Sequence, residues 1–206
     1  LSVALQLWLN PVIDAVTSKS DFDLRDLRKK RHAIYLGVAI EDLKTLAPLI
    51  RILFEQSINT LTHFDPDPVE EPHKVLLLLD EIHTLGKMEV MTNAFTLLAG
   101  ANVRLVAAVQ DISLLDTAYG SRNIRNSLLA NTAHIVFFAT KDPETQKYVS
   151  TLCGEHTVKS KSVSKGRGFT QESAKISTSE KIVPLIRPAE VNTFGADKQI
   201  ILVEKH

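Results

Sequence analysis

Val75-Leu76-Leu77-Leu78-Leu79-Asp80-Glu81 is the stretch on which the reading of this chain turns. A run of large aliphatic side chains with no polar alternate suits a strand covered on both faces, as in the middle of a parallel sheet. Asp-Glu at its end places two carboxylates at the carboxyl edge, where open α/β sheets bind ligands. In nucleoside triphosphatases the first acid of such a pair holds Mg²⁺, usually through water, and the second polarises the attacking water. Read this way, the pair points to ATP, with Asp80 for Mg²⁺ and Glu81 for catalysis. The same letters also suit a plain strand end, because Asp and Glu favour the turn and the helix start that follow.

A second apolar run, Val103 to Val109, ends at Gln110, and the helical pattern Met88 to Leu98 lies between the two, with Gly100 as its stop. A βαβ unit has about this length, so Asp80 and Gln110 are expected on neighbouring strands at one sheet edge. Gln110 there suits sensing a γ-phosphate or orienting water, with capping of the helix that begins near Asp111 as the alternative. No G-x-x-x-x-G-K-[ST] loop is present, and Gly86-Lys87-Met88 lacks both the upstream glycine and the hydroxyl. The phosphate cradle of a P-loop enzyme would therefore precede Leu1, and the isolated chain is expected to bind ATP weakly or not at all. Asp80-Glu81-Ile82-His83 also spells the D-E-x-H box of a helicase superfamily, but that superfamily's Ser-Ala-Thr and Gln-x-x-Gly-Arg-x-Gly-Arg motifs are missing. His83 reads as a polar residue of the loop after the strand.

Outward from this centre, Ala33 to Val38 reads as a short buried strand and Glu41 to Thr62 as a long helix, kinked at Pro48 or starting nearer Leu46. Asp65 to Pro72 is a proline-rich acidic loop. Ser113 to Tyr119 and Asn123 to Leu129 read as short helices, His134 to Ala139 as a strand, and Pro143 to Leu152 as a helix opened by Asp142. Alternating strands and helices imply a mostly parallel α/β sheet with flanking helices. Leu1 to Val16 resembles the end of an apolar helix followed by an Asn10-Pro11 turn. After Cys153 the runs His156 to Lys165 and Gln171 to Lys181 are Ser- and Lys-rich, which suits an edge β-hairpin or a flexible loop. Pro184 to Val191 closes as a short helix and Gln199 to Val203 as a last strand.

Composition narrows the class. The 206 residues are 44% hydrophobic and 23% charged, ordinary for a globular domain with a substantial core. Lys and Arg number 24 and Asp and Glu 24, so any nucleic-acid contact rests on local patches. Two such patches exist. Arg25 to Arg31 suits either phosphates or plain solvation. Lys159, Lys161, Lys165 and Arg167 either track a DNA backbone or protect an edge strand from aggregation. The single cysteine, Cys153, leaves no internal disulfide and suits a reducing compartment. Histidines show no metal-ligand spacing. No apolar stretch approaches the roughly 18–20 residues that span a bilayer. With no Met at its start, the chain reads as part of something longer.

Asn10-Pro11-Val12-Ile13-Asp14-Ala15, Ser20-Asp21-Phe22-Asp23-Leu24-Arg25, Ile34-Tyr35-Leu36-Gly37, Leu76 to Gly86, Gln110, Tyr119-Gly120 and Ile200 to Glu204 resemble, in order, the TraG-type coupling proteins of bacterial type IV secretion and conjugation. The resemblance covers essentially the whole chain. It implies the C-terminal part of a single RecA-like, P-loop ATPase domain over 1–206, with ATP and Mg²⁺ as cofactors. It also implies an N-terminal anchor in the bacterial inner membrane with the motor on the cytoplasmic face, and a homo-hexameric ring. The cargo it implies is single-stranded DNA with its relaxase, or protein effectors, delivered to components of the type IV secretion channel. By position, Asp80 and Glu81 match the Walker B pair and Gln110 the glutamine of the next strand. Some members carry an arginine near Ala99-Gly100 that serves a neighbouring subunit's nucleotide; here Arg104, Arg122 and Arg125 are the nearest. A non-catalytic module that docks relaxase or effector is the alternative.

Overall fold

The computed structural model describes residues 3–63, 65–164 and 175–203. The chain divides into two compact units, one running up to Ala133 and the other spanning His134–Val203.

The first unit opens with a 3₁₀ turn, Val3–Leu9, and then α1, Pro11–Thr17. Asn10-Pro11, expected to make a turn, begins this helix instead. The Asn10 side chain accepts a hydrogen bond from Val12 N at 2.9 Å, and Pro11 occupies the first helical position, where its missing N–H costs nothing. After the single turn α2, Asp26–Lys29, residues 31–39 form no strand. The expected strand at Ala33 to Val38 is corrected: Tyr35 is 92% exposed, and Ile34 and Leu36 are open as well. An extended segment becomes a strand only when a neighbouring edge takes its backbone groups, and no described strand pairs with it.

Helix α3, Ile40–Thr62, runs unbroken through Pro48. Its buried face, with Ala47, Ile50, Ile58 and Leu61, offsets the backbone bond that proline removes. Strand β1, Val75–Leu79, follows, then a 3₁₀ turn Ile82–Leu85, helix α4, Glu89–Gly100, and strand β2, Val103–Ala107. β1 and β2 are parallel, in register from Val75↔Val103 to Leu79↔Ala107, as the βαβ spacing predicts. Val75, Leu77 and Leu79 join Ile58, Leu61, Met88, Met91, Leu98 and Val103 in one core. The alternate residues do not: Leu76 is 60% and Leu78 64% exposed. Within this chain, where the unbroken aliphatic run predicts cover on both faces, the described residues cover one face of β1. Helices α5, Ile112–Tyr119, and α6, Arg122–Ala130, complete the unit. Gly120, at φ +67°, ends α5 by donating its N–H to Asp116 O at 2.8 Å.

The second unit holds β3, His134–Phe137, α7, Pro143–Cys153, β4, Glu155–Ser164, β5, Lys175–Pro184, α8, Pro188–Asn192, and β6, Ile200–Val203. Asp142 opens α7 as expected, accepting from Thr145 N at 2.9 Å and Thr145 Oγ1 at 2.6 Å. β3 pairs with β6, and antiparallel (His134↔Val203 to Phe137↔Ile200), a departure from the parallel pattern. β4 and β5 form the expected hairpin, in register from Glu155↔Pro184 to Ser164↔Lys175. The core of this unit is Phe137, Val149 and Val191, with the Tyr148 ring edge-on to Phe137 at 6.2 Å. Burial raises the pKa of the Cys153 thiol, which lowers its thiolate fraction at neutral pH. Among the described residues no helix is long and apolar enough to cross a membrane.

Candidate active site

The parallel ladder continues one step past both strand ends. Ala108 N donates to Leu79 O at 2.8 Å, and Ala108 O accepts from Ile82 N at 3.1 Å. Between these bonds the chain must turn within Asp80-Glu81, and Glu81 adopts a left-handed conformation, φ 49° and ψ 47°. For a residue with a Cβ that conformation costs about 1 kcal/mol. The cost is met locally: Glu81 O accepts from Thr84 N at 2.9 Å and Thr84 Oγ1 at 2.7 Å, and Glu81 N donates to Asp80 Oδ1 at 3.0 Å.

The turn sends the Glu81 side chain across to the neighbouring strand end. Gln110 Nε2 donates to Glu81 Oε1 at 3.1 Å, and His83 Nδ1 lies 3.2 Å from Glu81 Oε2. Gln110 thus does not cap the following helix; Asp111 holds the N-cap position of α5. Asp80, Glu81 and Gln110 all stand at the carboxyl ends of two parallel, adjacent strands, the edge the sequence pointed to. Asp80 is exposed, with one carboxylate oxygen taken by Glu81 N. Mg²⁺ keeps several waters and takes one or two carboxylates. A lone open carboxylate fits that ion held through water, and no metal-caging group of three or more His, Cys, Asp or Glu occurs among the described residues.

The other residues singled out belong to other elements. Lys159 and Lys161 share one face of β4 in the second unit, and Lys159 Nζ is 3.6 Å from Glu180 Oε1 across the hairpin. Lys165 and Arg167 lie outside the described residues. Of the arginines, Arg104 is exposed on β2 and Arg122 sits 3.9 Å from Asp116. Arg125 is 4% exposed and committed internally, with Nη1 2.8 Å from Asp116 Oδ2 and Nε and Nη2 donating to Asn126 Oδ1. It is therefore withdrawn as a residue reaching a neighbouring subunit. Replacing Asp116 by Ala leaves that guanidinium buried without its carboxylate, and the expected loss is about 3 kcal/mol. Chemical denaturation of the full-length protein measures it. Burial raises the pKa of Tyr119, at the end of α5.

Sequence reasoning missed two groups. His83 was visible only as the last letter of D-E-x-H, and its contact with Glu81 depends on the left-handed turn, which no residue type announces. Arg28 lies in the basic run read as surface, yet it is 3% exposed.

Comparison with known proteins gives the family. The family described as type IV secretory system conjugative DNA transfer matches residues 1–206, the entire chain. The chain belongs to this family. Within the conjugative DNA-transfer family it is 39% identical to protein VirD4 of Agrobacterium fabrum (strain C58 / ATCC 33970) over 204 residues, covering 98% of this chain and 30% of VirD4. It is 29% identical to a probable conjugal transfer protein TraG of Sinorhizobium fredii (strain NBRC 101917 / NGR234), covering 94% of this chain and 30% of that protein. The chain thus spans about a third of the curated relatives it matches. Among solved structures, the plasmid coupling protein TrwB in complex with a non-hydrolysable GTP analogue superposes with a TM-score of 0.72 at 20% identity, over 98% of this chain and 44% of that one. TrwB in complex with ADP and Mg²⁺ gives 0.69 at 21% identity, over 90% of this chain and 41% of that one. These likenesses establish the conjugative family's coupling-protein fold here: a small parallel sheet with helices in the first unit, and antiparallel strand pairs in the second.

Proposed function

We propose that this chain is the later part of a RecA-like motor domain. In the full-length protein that domain hydrolyses ATP to drive single-stranded DNA with its relaxase, or protein effectors, into a type IV secretion channel. The observation that carries the reading is the Gln110–Glu81 hydrogen bond at the carboxyl edge of β1 and β2, beside the open carboxylate of Asp80. Membership of the conjugative DNA-transfer family, and the nucleotide complexes of TrwB, support it.

In this reading Asp80 holds Mg²⁺ through water, Glu81 draws a proton from the attacking water, and Gln110 couples the phosphate state to the base it touches. Bound MgATP supplies the phosphoanhydride whose cleavage powers transport. These 206 residues hold no G-x-x-x-x-G-K-[ST] loop, so the isolated chain is proposed to be inactive. Assembly as a homo-hexamer at the cytoplasmic face of the inner membrane is proposed with this motor role.

The test is ATP hydrolysis by the full-length protein with and without single-stranded DNA. Hydrolysis that rises several-fold with DNA is expected. A full-length protein that binds relaxase or effector and shows no hydrolysis under any condition would make it a docking module instead.

A further inference from the structure

Two buried polar atoms face each other beside the proposed base. Glu81 Oε2 and His83 Nδ1 are both sealed from solvent, both lack a well-aligned hydrogen-bond partner, and they lie 3.2 Å apart. A ring nitrogen without its proton would present a lone pair to a carboxylate oxygen, and burying both unpaired costs more than either could recover elsewhere. A proton on Nδ1, pointed at Oε2 after a small rotation of the ring, satisfies both atoms at once.

We propose that His83 is a positioning residue for Glu81, holding one carboxylate oxygen so that the other is aimed at the reacting water; this rests on the assignment of Glu81 as the base. The two grips on the carboxylate differ in kind. Gln110 reaches Oε1 from the neighbouring strand and is exposed. His83 belongs to the same short turn as Glu81. That turn is locked by the buried side chains of Ile82 and Leu85, by Thr84 bonding Glu81 O, and by Gly86 N donating to His83 O at 3.2 Å. Gln110 is therefore the partner that can be drawn away, and His83 the one that stays. When the amide of Gln110 leaves, Oε1 becomes free to take a proton, while Oε2 remains tied and the carboxylate does not swing out of line. The same tie also opposes the strain of the left-handed Glu81 backbone.

The experiment compares steady-state ATP hydrolysis by full-length parent, His83→Phe and His83→Asn. Phenylalanine keeps the ring volume that packs the turn and removes the donor; asparagine keeps a donor near the position of Nδ1. His83→Phe is expected to lower kcat about tenfold with KM for ATP altered less than about twofold, and His83→Asn to stay within about threefold of the parent. An unchanged kcat in His83→Phe, an equal fall in both variants, or a loss confined to KM overturns the proposal. Glu81→Gln, measured alongside, separates the two ideas. If it retains full turnover, the reading of Glu81 as the base fails. If it is silent while His83→Phe matches the parent, only the role of His83 fails.

Discussion

Glu81→Gln in the full-length protein is expected to abolish ATP turnover while leaving nucleotide binding in place. The change exchanges one carboxylate oxygen for an amide nitrogen and nothing else. The introduced side chain still offers a carbonyl oxygen to Gln110 Nε2, the contact that spans 3.1 Å in the parent. Its backbone demand is the same, so the left-handed turn and the bonds from Thr84 to residue 81 persist. What disappears is the ability to accept a proton, together with the second acceptor oxygen that faces His83 Nδ1. Loss of a positioned general base lowers rates by about 10²–10⁴-fold. In the proposed mechanism Glu81 does not itself hold the nucleotide, so nucleotide affinity should change little. Single-turnover hydrolysis and equilibrium nucleotide titration separate the two quantities. Undiminished hydrolysis would remove Glu81 from the chemistry, and with it the proposed mechanism.

Arg28→Met is expected to be the most destabilising single change described here, by about 3–5 kcal/mol. The Arg28 side chain is 3% exposed, and its Nη2 donates to Leu61 O and to Ala101 O, the latter at 2.6 Å. Leu61 lies in the last turn of α3 and Ala101 just beyond α4, where carbonyls have no partner within their own helix. One guanidinium thus caps two helices, and its positive charge suits the negative ends of both dipoles. Nη1 lies 3.6 Å from Glu71, and Arg28 O accepts from His73 N at 3.1 Å, so the same residue pins the approach to β1. Methionine fills much of the volume and leaves two buried carbonyls and an acid unpaired. Arg28→Lys should recover only part of the loss, because one ammonium cannot reproduce the fork. Denaturation midpoints of the full-length protein report the result; a shift worth less than about 1 kcal/mol would show that water replaces the guanidinium.

The centre of this fold was legible because its signals are local. Val75–Leu79 is apolar whatever surrounds it, and the spacing from Asp80 to Gln110 admits one helix and so places both at one edge. Asp142 before Pro143 is a cap by its chemistry, and of the hairpin and the flexible loop that the Ser/Lys runs both suited, the hairpin is found. What escaped depends on partners distant in sequence. Short apolar runs such as His134–Phe137 and Ile200–Val203 read alike for either direction of pairing, so their antiparallel union was hidden. Ile34-Tyr35-Leu36 has the composition of a strand and pairs with none of the described strands. The aliphatic run at Leu76 and Leu78 cannot say how many layers cover it. Arg28 looked like its basic neighbours, since nothing beside it tells that two helix ends converge on its side chain. At the site, residue types marked Asp80, Glu81 and Gln110, while the direct bond between the last two required the unusual backbone at Glu81.

Ala108 takes a hydrogen bond on each side of the acidic turn, from its N–H to Leu79 and through its carbonyl from Ile82. The acidic bend is thereby held to the end of the adjoining parallel strand on both of its sides. A displacement of β2 along its axis would reach the bend, and the Glu81 carboxylate it carries, through these two bonds.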